Sequence, residues 1–301
     1  MATKPLVSIC VVTYNQKHLI RETLDSALMQ DYENIEFVVA DDGSTDGTAE
    51  VVEEYSKAAP GKVIALTGGP NLGITGNCNR GLSHCRGKYV SFLGGDDILF
   101  SDKISLQVQY MESHPECSVS YHDMEIFDSD SGKTIKLFSQ VSRPVNGGLQ
   151  EAIRFGTVNC ASASMYRAAH LPTDGFDPSL PVVSDWYLTI QTLAAGGRFS
   201  YIPRVLGRYR KHLANVSNSN SPLRMQGFLD ILQTCSKCMR YYPQHLSSVM
   251  SRMSAVMRES RGLQGGANYA EYLCTSLRLQ LSVKSLTGLL VYYLTARRVR
   301  L

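Results

Sequence analysis

Four short runs near the start of the chain are almost continuously apolar: Leu6 to Thr13, Ile35 to Ala40, Val63 to Thr67 and Tyr89 to Leu93. Runs of this kind are buried on both faces, as in a parallel sheet, whereas a half-exposed strand would alternate. Between them the apolar spacing becomes helical. Ile20, Leu24, Ala27 and Leu28 recur on one helix face, and Ala49, Val52 and Tyr55 on another. Ile74 to Cys85 and Ser101 to Ser113 predict two more helices, the second with Ile104, Val108 and Met111 on one side. Strand and helix alternate, so the front of the chain is α/β. Further on, the pattern predicts a strand over Val119 to Phe127, a polar surface excursion over Asp128 to Gly148 and a helix over Asp185 to Ala195. Phe199 to Arg210 reads as extended chain broken at Pro203.

After the polar stretch Ser217 to Pro222 the character changes. Leu246, Val249, Met250, Met253, Val256 and Met257 form one helical stripe, a packing surface, and later helices follow a break at Gly262 to Gly266. The expected organisation is an α/β domain over 1–220 and a helical region over 221–301. Charge divides the same way. The 301 residues carry a net +3, but from Arg224 onward there are eleven Lys/Arg and three Asp/Glu, a net of +8, which leaves −5 for the front. A basic tail points to an anionic partner.

No secretory signal is visible at the N-terminus. The longest apolar-rich stretch, Leu286 to Ala296, is short of the roughly 20 residues that span a bilayer. The eight cysteines are scattered and mostly lie in apolar segments, which fits a reduced cytoplasmic chain. Cys235 and Cys238 make the one C-x-x-C, which reads as two helix-face cysteines rather than a zinc or redox pair.

In an open parallel sheet, ligands gather beyond the carboxyl ends of the strands. There the first strand presents Tyr14 and Asn15, the second Asp41, Asp42, Gly43, Ser44, Thr45 and Asp46, and the fourth Gly94, Gly95, Asp96 and Asp97. An aromatic face stacks on a base, a carboxylate accepts from a base N–H or ribose hydroxyl, and a hard divalent ion bridges carboxylate and diphosphate oxygens. Nucleotide binding is the economical reading. The alternatives are local: Gly94 to Asp97 as a solvated turn with Asp97 capping the next helix, and Ser44 or Asp46 capping the helix after the second strand.

Val11 to Asn15, Asp41 to Asp46, Asn71-x-Gly73 with Asn79-x-Gly81, and Phe92 to Asp97 resemble, in order and spacing, the successive motifs of family 2 glycosyltransferases with the GT-A fold. The resemblance implies inverting transfer of a sugar from a nucleoside-diphosphate donor, with UDP the favoured nucleotide, to a hydroxyl of a surface polysaccharide or a polyprenyl-linked glycan. It implies Tyr14 and Asp42 on the nucleobase and Val12, Asn71, Asn79, Asp96 and Arg210 as further donor-binding positions. Mg²⁺ or Mn²⁺ is expected on Asp96. The chain departs from the D-x-D pattern at the first acid, where it has Gly94.

Val182 to Leu188 resembles the segment in which the family's base opens a helix, so Asp185 is the expected base, with a plain N-cap as its alternative. Trp186 is either a sugar-stacking wall or a core anchor. Gly207 to Ser217 resembles the family's Tyr-Arg-x-His-x-x-Asn-x-Ser segment, which places His212 beside the metal and Arg208, Arg210 and Lys211 near the diphosphate.

Lys284 to Leu301 combines four cations, no acids and an apolar face. That suits either a helix on an anionic membrane, peripheral on the cytoplasmic face, or a helix packed on its neighbour. No basic stripe with interleaved aromatics points to nucleic acid. Two competing readings are a non-catalytic scaffold that keeps the nucleotide cleft and an NAD-dependent dehydrogenase. The latter needs glycines where Tyr14, Asn15 and Gln16 stand.

Overall fold

Each of the four apolar runs is a strand. In the computed structural model they are β1 (Val7–Thr13), β2 (Ile35–Asp41), β3 (Val63–Leu66) and β4 (Tyr89–Gly94), and the helices between them are α1 (Lys17–Leu28), α2 (Thr48–Ala58) and α3 (Gly73–Leu82). The chain continues through β5 (Ile98–Leu99), α4 (Lys103–Ser113), β6 (Cys117–Asp128), β7 (Thr134–Leu137), α5 (Leu149–Phe155), β8 (Ser164–Arg167), α6 (Asp185–Ala194) and β9 (Arg198–Lys211). It ends in α7 (Arg224–Tyr241), α8 (Leu246–Glu259) and α9 (Tyr269–Leu279). The structure describes residues 4–157, 159–213, 215, 223–259, 269–279 and 287. The polar stretch at 217–222, the break at 262–266 and, apart from Thr287, the basic tail from Lys284 lie outside them.

The chain divides into two compact units, Met1–Ala152 with Thr157–Leu213, and Ile153–Gly156 with Ala214–Leu301. In the first unit the strand order is β3-β2-β1-β4-β8-β6-β9-β5, with β7 added to β6. The first four strands are parallel, and β1 sits between β2 and β4. The chain therefore reverses its lateral direction at β1, the arrangement that opens a crevice beyond the strand ends. Val7, Ile9 and Val11 of β1 meet Ile20, Leu24 and Ala27 of α1 in the core, the period-two face against the 3.6-period face.

β8 inserts antiparallel between β4 and β6, and β9 runs parallel to β6. Pro203 does not break β9, contrary to expectation. The pairing passes from His122 opposite Ile202 to Asp123 opposite Val205, so Pro203 and Arg204 are absorbed as a bulge, where a missing N–H costs the ladder nothing. Within the polar excursion, Thr134–Leu137 pairs with β6 while most of it stays exposed.

In the second unit the Ser254 and Ser276 hydroxyls meet at 2.8 Å between α8 and α9. Cys235 and Cys238 are buried on α7, and burial pushes both thiols up to about 12. They are packing residues. No helix among the described residues is long and apolar enough to cross a membrane.

Candidate active site

The ends of β1, β2 and β4 are stitched together by short polar contacts. Asn15, at a left-handed φ of 52° that asparagine tolerates, donates its backbone N–H to Ser44 Oγ (2.8 Å) and accepts from Thr45 N–H at its side chain (2.9 Å). Asp46 accepts from the Lys17 N–H at 3.0 Å and from the Thr48 N–H at 2.9 Å, so it ties together the starts of α1 and α2. Ser44 instead bonds back to Asp41. Of the two residues expected to cap α2, Asp46 is the one that meets its first N–H.

That leaves Asp42 for the crevice. It is buried, accepts from Leu72 N–H at 2.7 Å, and burial holds its carboxyl above the ordinary range. Tyr14 stands at the mouth, 48 % exposed, its ring available for stacking. Val12 contributes its carbonyl, which accepts the Gly95 N–H at 2.9 Å and joins β1 to the acidic turn. Gly95 is required there: a Cβ would lie 2.7 Å from Thr13 Cβ and 2.5 Å from Gln16 Oε1. Gly95→Ala is expected to destabilise the first unit by about 1–3 kcal/mol, measured as a fall in melting temperature.

Beyond Gly95, Asp96 Oδ2 lies 2.8 Å from His212 Nε2, a residue 116 positions further along the chain. A carboxylate and an imidazole this close match two adjacent vertices of an octahedral ion, whose ligands at ~2.1 Å are separated by ~3 Å. No cluster of three or more His, Cys, Asp or Glu that could hold a metal exists among the described residues. The chemistry of the pair, one carboxylate oxygen and one imidazole nitrogen, fits a Mg²⁺ or Mn²⁺ ion. Gly94 leaves the space beside Asp96 tight, since a Cβ there would come within 2.9 Å of Asp96 Oδ1.

Asp97 does not cap a helix. It is buried, accepting from Ser162 Oγ at 2.5 Å and from Arg210 N–H at 3.0 Å, and burial followed by the charge of Asp96 pushes its carboxyl up to about 8. Arg210 differs from the expectation too. Only 4 % exposed, it donates from Nε to the Asp96 carbonyl (2.7 Å) and from its terminal nitrogen to Glu22, with Phe127 under the guanidinium. Its guanidinium is held by the Asp96 carbonyl and the Glu22 carboxylate. Arg208 is likewise engaged, by Glu125 at 3.1 Å and the Gly132 carbonyl.

Asn79 spends both ends of its amide on Phe176, donating to its carbonyl at 2.8 Å and accepting its N–H at 2.7 Å, so it clamps a loop instead of lining a pocket. Asn71 stays exposed and closes a turn on Gly73 N–H.

Asp185 is the first residue of α6, with Ser184 as the N-cap. One carboxylate oxygen accepts the Trp186 N–H at 2.8 Å, and burial raises the carboxyl above its usual value. Cys78 on α3 locates this acid relative to Asp42: burial and then the charges of Asp185 and Asp42 drive its thiol up to about 12. Trp186 is 2 % exposed and donates to the Ala152 carbonyl at 2.9 Å, which makes it a core anchor and removes it as a sugar wall.

Three contributors were not foreseen: Ser162, Glu22, and Thr75, whose hydroxyl bonds the Leu180 carbonyl and Ser184 in the segment leading to Asp185. Each is an ordinary polar residue whose role comes from what the fold sets opposite it.

The switch point of a parallel sheet, with Asp96 paired to His212 and Asp42 recessed at a neighbouring strand end, has the layout of the GT-A class. Residues 8–168 match the model of glycosyl transferase family 2, and the chain belongs to that family. It is 29% identical over 214 residues to the UDP-Glc:alpha-D-GlcNAc-diphosphoundecaprenol beta-1,3-glucosyltransferase WfaP of Escherichia coli, which covers 70% of this chain and 80% of WfaP. It is 30% identical over 215 residues to Rv1520 of Mycobacterium tuberculosis, covering 71% of this chain and spanning 61% of that protein. The fold is shared with Staphylococcus aureus TarS 1–349 in its complex with UDP-GlcNAc, at a TM-score of 0.67 and 17% identity over 95% of this chain and 79% of that one.

Proposed function

We propose that the chain is an inverting glycosyltransferase that moves a sugar from a UDP-linked donor to a hydroxyl of a surface-polysaccharide or lipid-linked glycan acceptor. The observation that carries this reading is the Asp96–His212 pair set at the strand ends alongside Tyr14 and Asp42. Tyr14 stacks on the base and Asp42 accepts from it, at the wall opposite the acidic turn. Asp96 and His212 would hold Mg²⁺ or Mn²⁺, which when bound offsets charge on the departing diphosphate. Asp185 takes the proton of the acceptor hydroxyl as that oxygen bonds to the anomeric carbon, and the nucleoside diphosphate leaves from the opposite face with the bonding electron pair.

WfaP is named as a UDP-glucose-dependent enzyme with a diphosphoundecaprenol-linked acceptor, and this supports the donor and acceptor classes assigned here. Catalysis is assigned to residues 1–220, and the basic region from 221 onward to holding the protein at an anionic, cytoplasmic membrane face, where such an acceptor would be found.

The test is a panel of UDP-, dTDP- and GDP-sugars assayed for release of nucleotide diphosphate with and without chelator. Turnover of a UDP-sugar restored by Mn²⁺ is expected. Release that chelator does not reduce would remove the metal from the reading, and nucleotide binding without release under any acceptor would favour a scaffold.

A further inference from the structure

We propose that Asp97 is the positioning residue of the metal pair: through Ser162 and Arg210 it sets the distance between Asp96 and His212. The inference rests on the reading of that pair as the metal–diphosphate site. Asp97 is 3 % exposed and both of its oxygens are occupied. Oδ1 accepts the Arg210 N–H at 3.0 Å, and Oδ2 accepts the Ser162 hydroxyl at 2.5 Å. Ser162 Oγ in turn accepts the Gly94 N–H at 3.0 Å, and the Asp97 N–H closes the turn on the Gly94 carbonyl at 3.1 Å. One carboxylate thus joins three chain segments: the Gly94–Asp97 turn, the short turn at Ala161–Ala163 and the end of β9.

The return contact runs from the Arg210 side chain, whose Nε donates to the Asp96 carbonyl at 2.7 Å. Arg210 and Asp97 therefore bind each other's segment in both directions, once by backbone to side chain and once by side chain to backbone. His212 lies two residues beyond Arg210. In extended chain, residues two apart share a face about 6–7 Å apart, so fixing the Arg210 backbone fixes where the imidazole starts. Glu22 on α1 completes the arrangement by holding the far end of the guanidinium.

A third-ligand role for Asp97 does not fit this geometry. Its carboxyl is buried and directed at the Ser162 hydroxyl and the Arg210 N–H, whereas Asp96 carries the oxygen that meets His212. Ligand placement must hold to roughly 0.5 Å for a first shell of only two side chains to work, and groups that orient ligands typically change metal affinity ~10–100-fold when removed.

The test measures Mn²⁺ binding in the presence of UDP, from the loss of the free Mn²⁺ paramagnetic resonance signal, alongside melting temperature and UDP binding without metal. Asp97→Ala and Ser162→Ala are each expected to raise the Mn²⁺ dissociation constant ~10-fold or more at temperatures where the protein is folded. Asp97→Asn, which still accepts from Arg210 and can donate to Ser162, is expected to stay within a few-fold of wild type. An Asn variant that loses as much affinity as Ala would make Asp97 a ligand and overturn the positioning role. So would unchanged Mn²⁺ affinity in both Asp97→Ala and Ser162→Ala while wild type binds. If wild type itself takes up no Mn²⁺ with UDP, the metal–diphosphate reading has failed, and this inference falls with it.

Discussion

Asp185→Asn is expected to lower kcat by ~10²–10⁴ and leave donor affinity nearly unchanged, which is the size of effect that removing a general base produces. The carboxylate accepts the Trp186 N–H at Oδ1, and in the proposed reaction its other oxygen meets the acceptor hydroxyl. An N-terminal helix position on its own would stabilise the anion, by up to about 1 kcal/mol. Burial outweighs that here and raises the carboxyl, which improves its match to a proton-abstraction step near neutral pH. The active form is the deprotonated one. The rate should therefore fall as pH drops through a value above 3.8, the ordinary aspartate figure, and the Asn variant should lack this acid limb. Assaying transfer and donor binding separately checks both points, and an Asn variant with wild-type turnover would end the base assignment.

The second large effect concerns stability. Lys103 on α4 is fully buried, donates to Ser91 Oγ at 2.6 Å, and is pushed by burial from 10.5 to about 7. Nearby His122, also fully buried, is pushed down to about 3 by burial and then by Lys103. Because the unfolded lysine keeps its proton to about 10.5 and the folded one only to about 7, the unfolded chain binds more protons between those values. Stability should rise with pH across that window, and below it the full penalty applies. At ~1.4 kcal/mol per unit the penalty is about 3–5 kcal/mol at neutral pH, against ~1 kcal/mol for the hydrogen bond to Ser91. Lys103→Met is thus expected to raise stability by about 2 kcal/mol or more at pH 7 and to flatten its rise toward pH 10. Thermal melts at several pH values measure both, and a variant that melts lower at pH 7 would contradict the balance of terms.

The parts of the fold legible beforehand are those where burial imposes a pattern. β1, β2 and β4 are apolar on both faces because sheet neighbours and helices cover them, and their ends followed directly. β8 was not legible. Its four residues, Ser164, Met165, Tyr166 and Arg167, are too few and too mixed to show a period, and they owe their strand state to β4 and β6 on either side. β5 is two residues long and exists through its pairing with β9.

At the site, Asp42, Asp96, Asp185 and His212 were expected from the resemblance, and the structure brings Asp96 to His212. Direction was the illegible quantity. An arginine in a basic loop has the same composition whether it points at solvent or at Asp96 and Glu22, as Arg210 does. Likewise Asn79 reads as a pocket residue until Phe176 is seen across from it.

The 116 positions between Asp96 and His212 bear on how the protein comes into being. Contacts of such long sequence separation carry the greatest loop-closure cost and form late. During synthesis, β1 to β4 leave the ribosome well before β9 does, so the early strands and the acidic turn can pair while the imidazole is still untranslated. Closure of the Asp96–His212 pair would therefore be among the last contacts the first unit makes, and a chain interrupted before β9 would lack it.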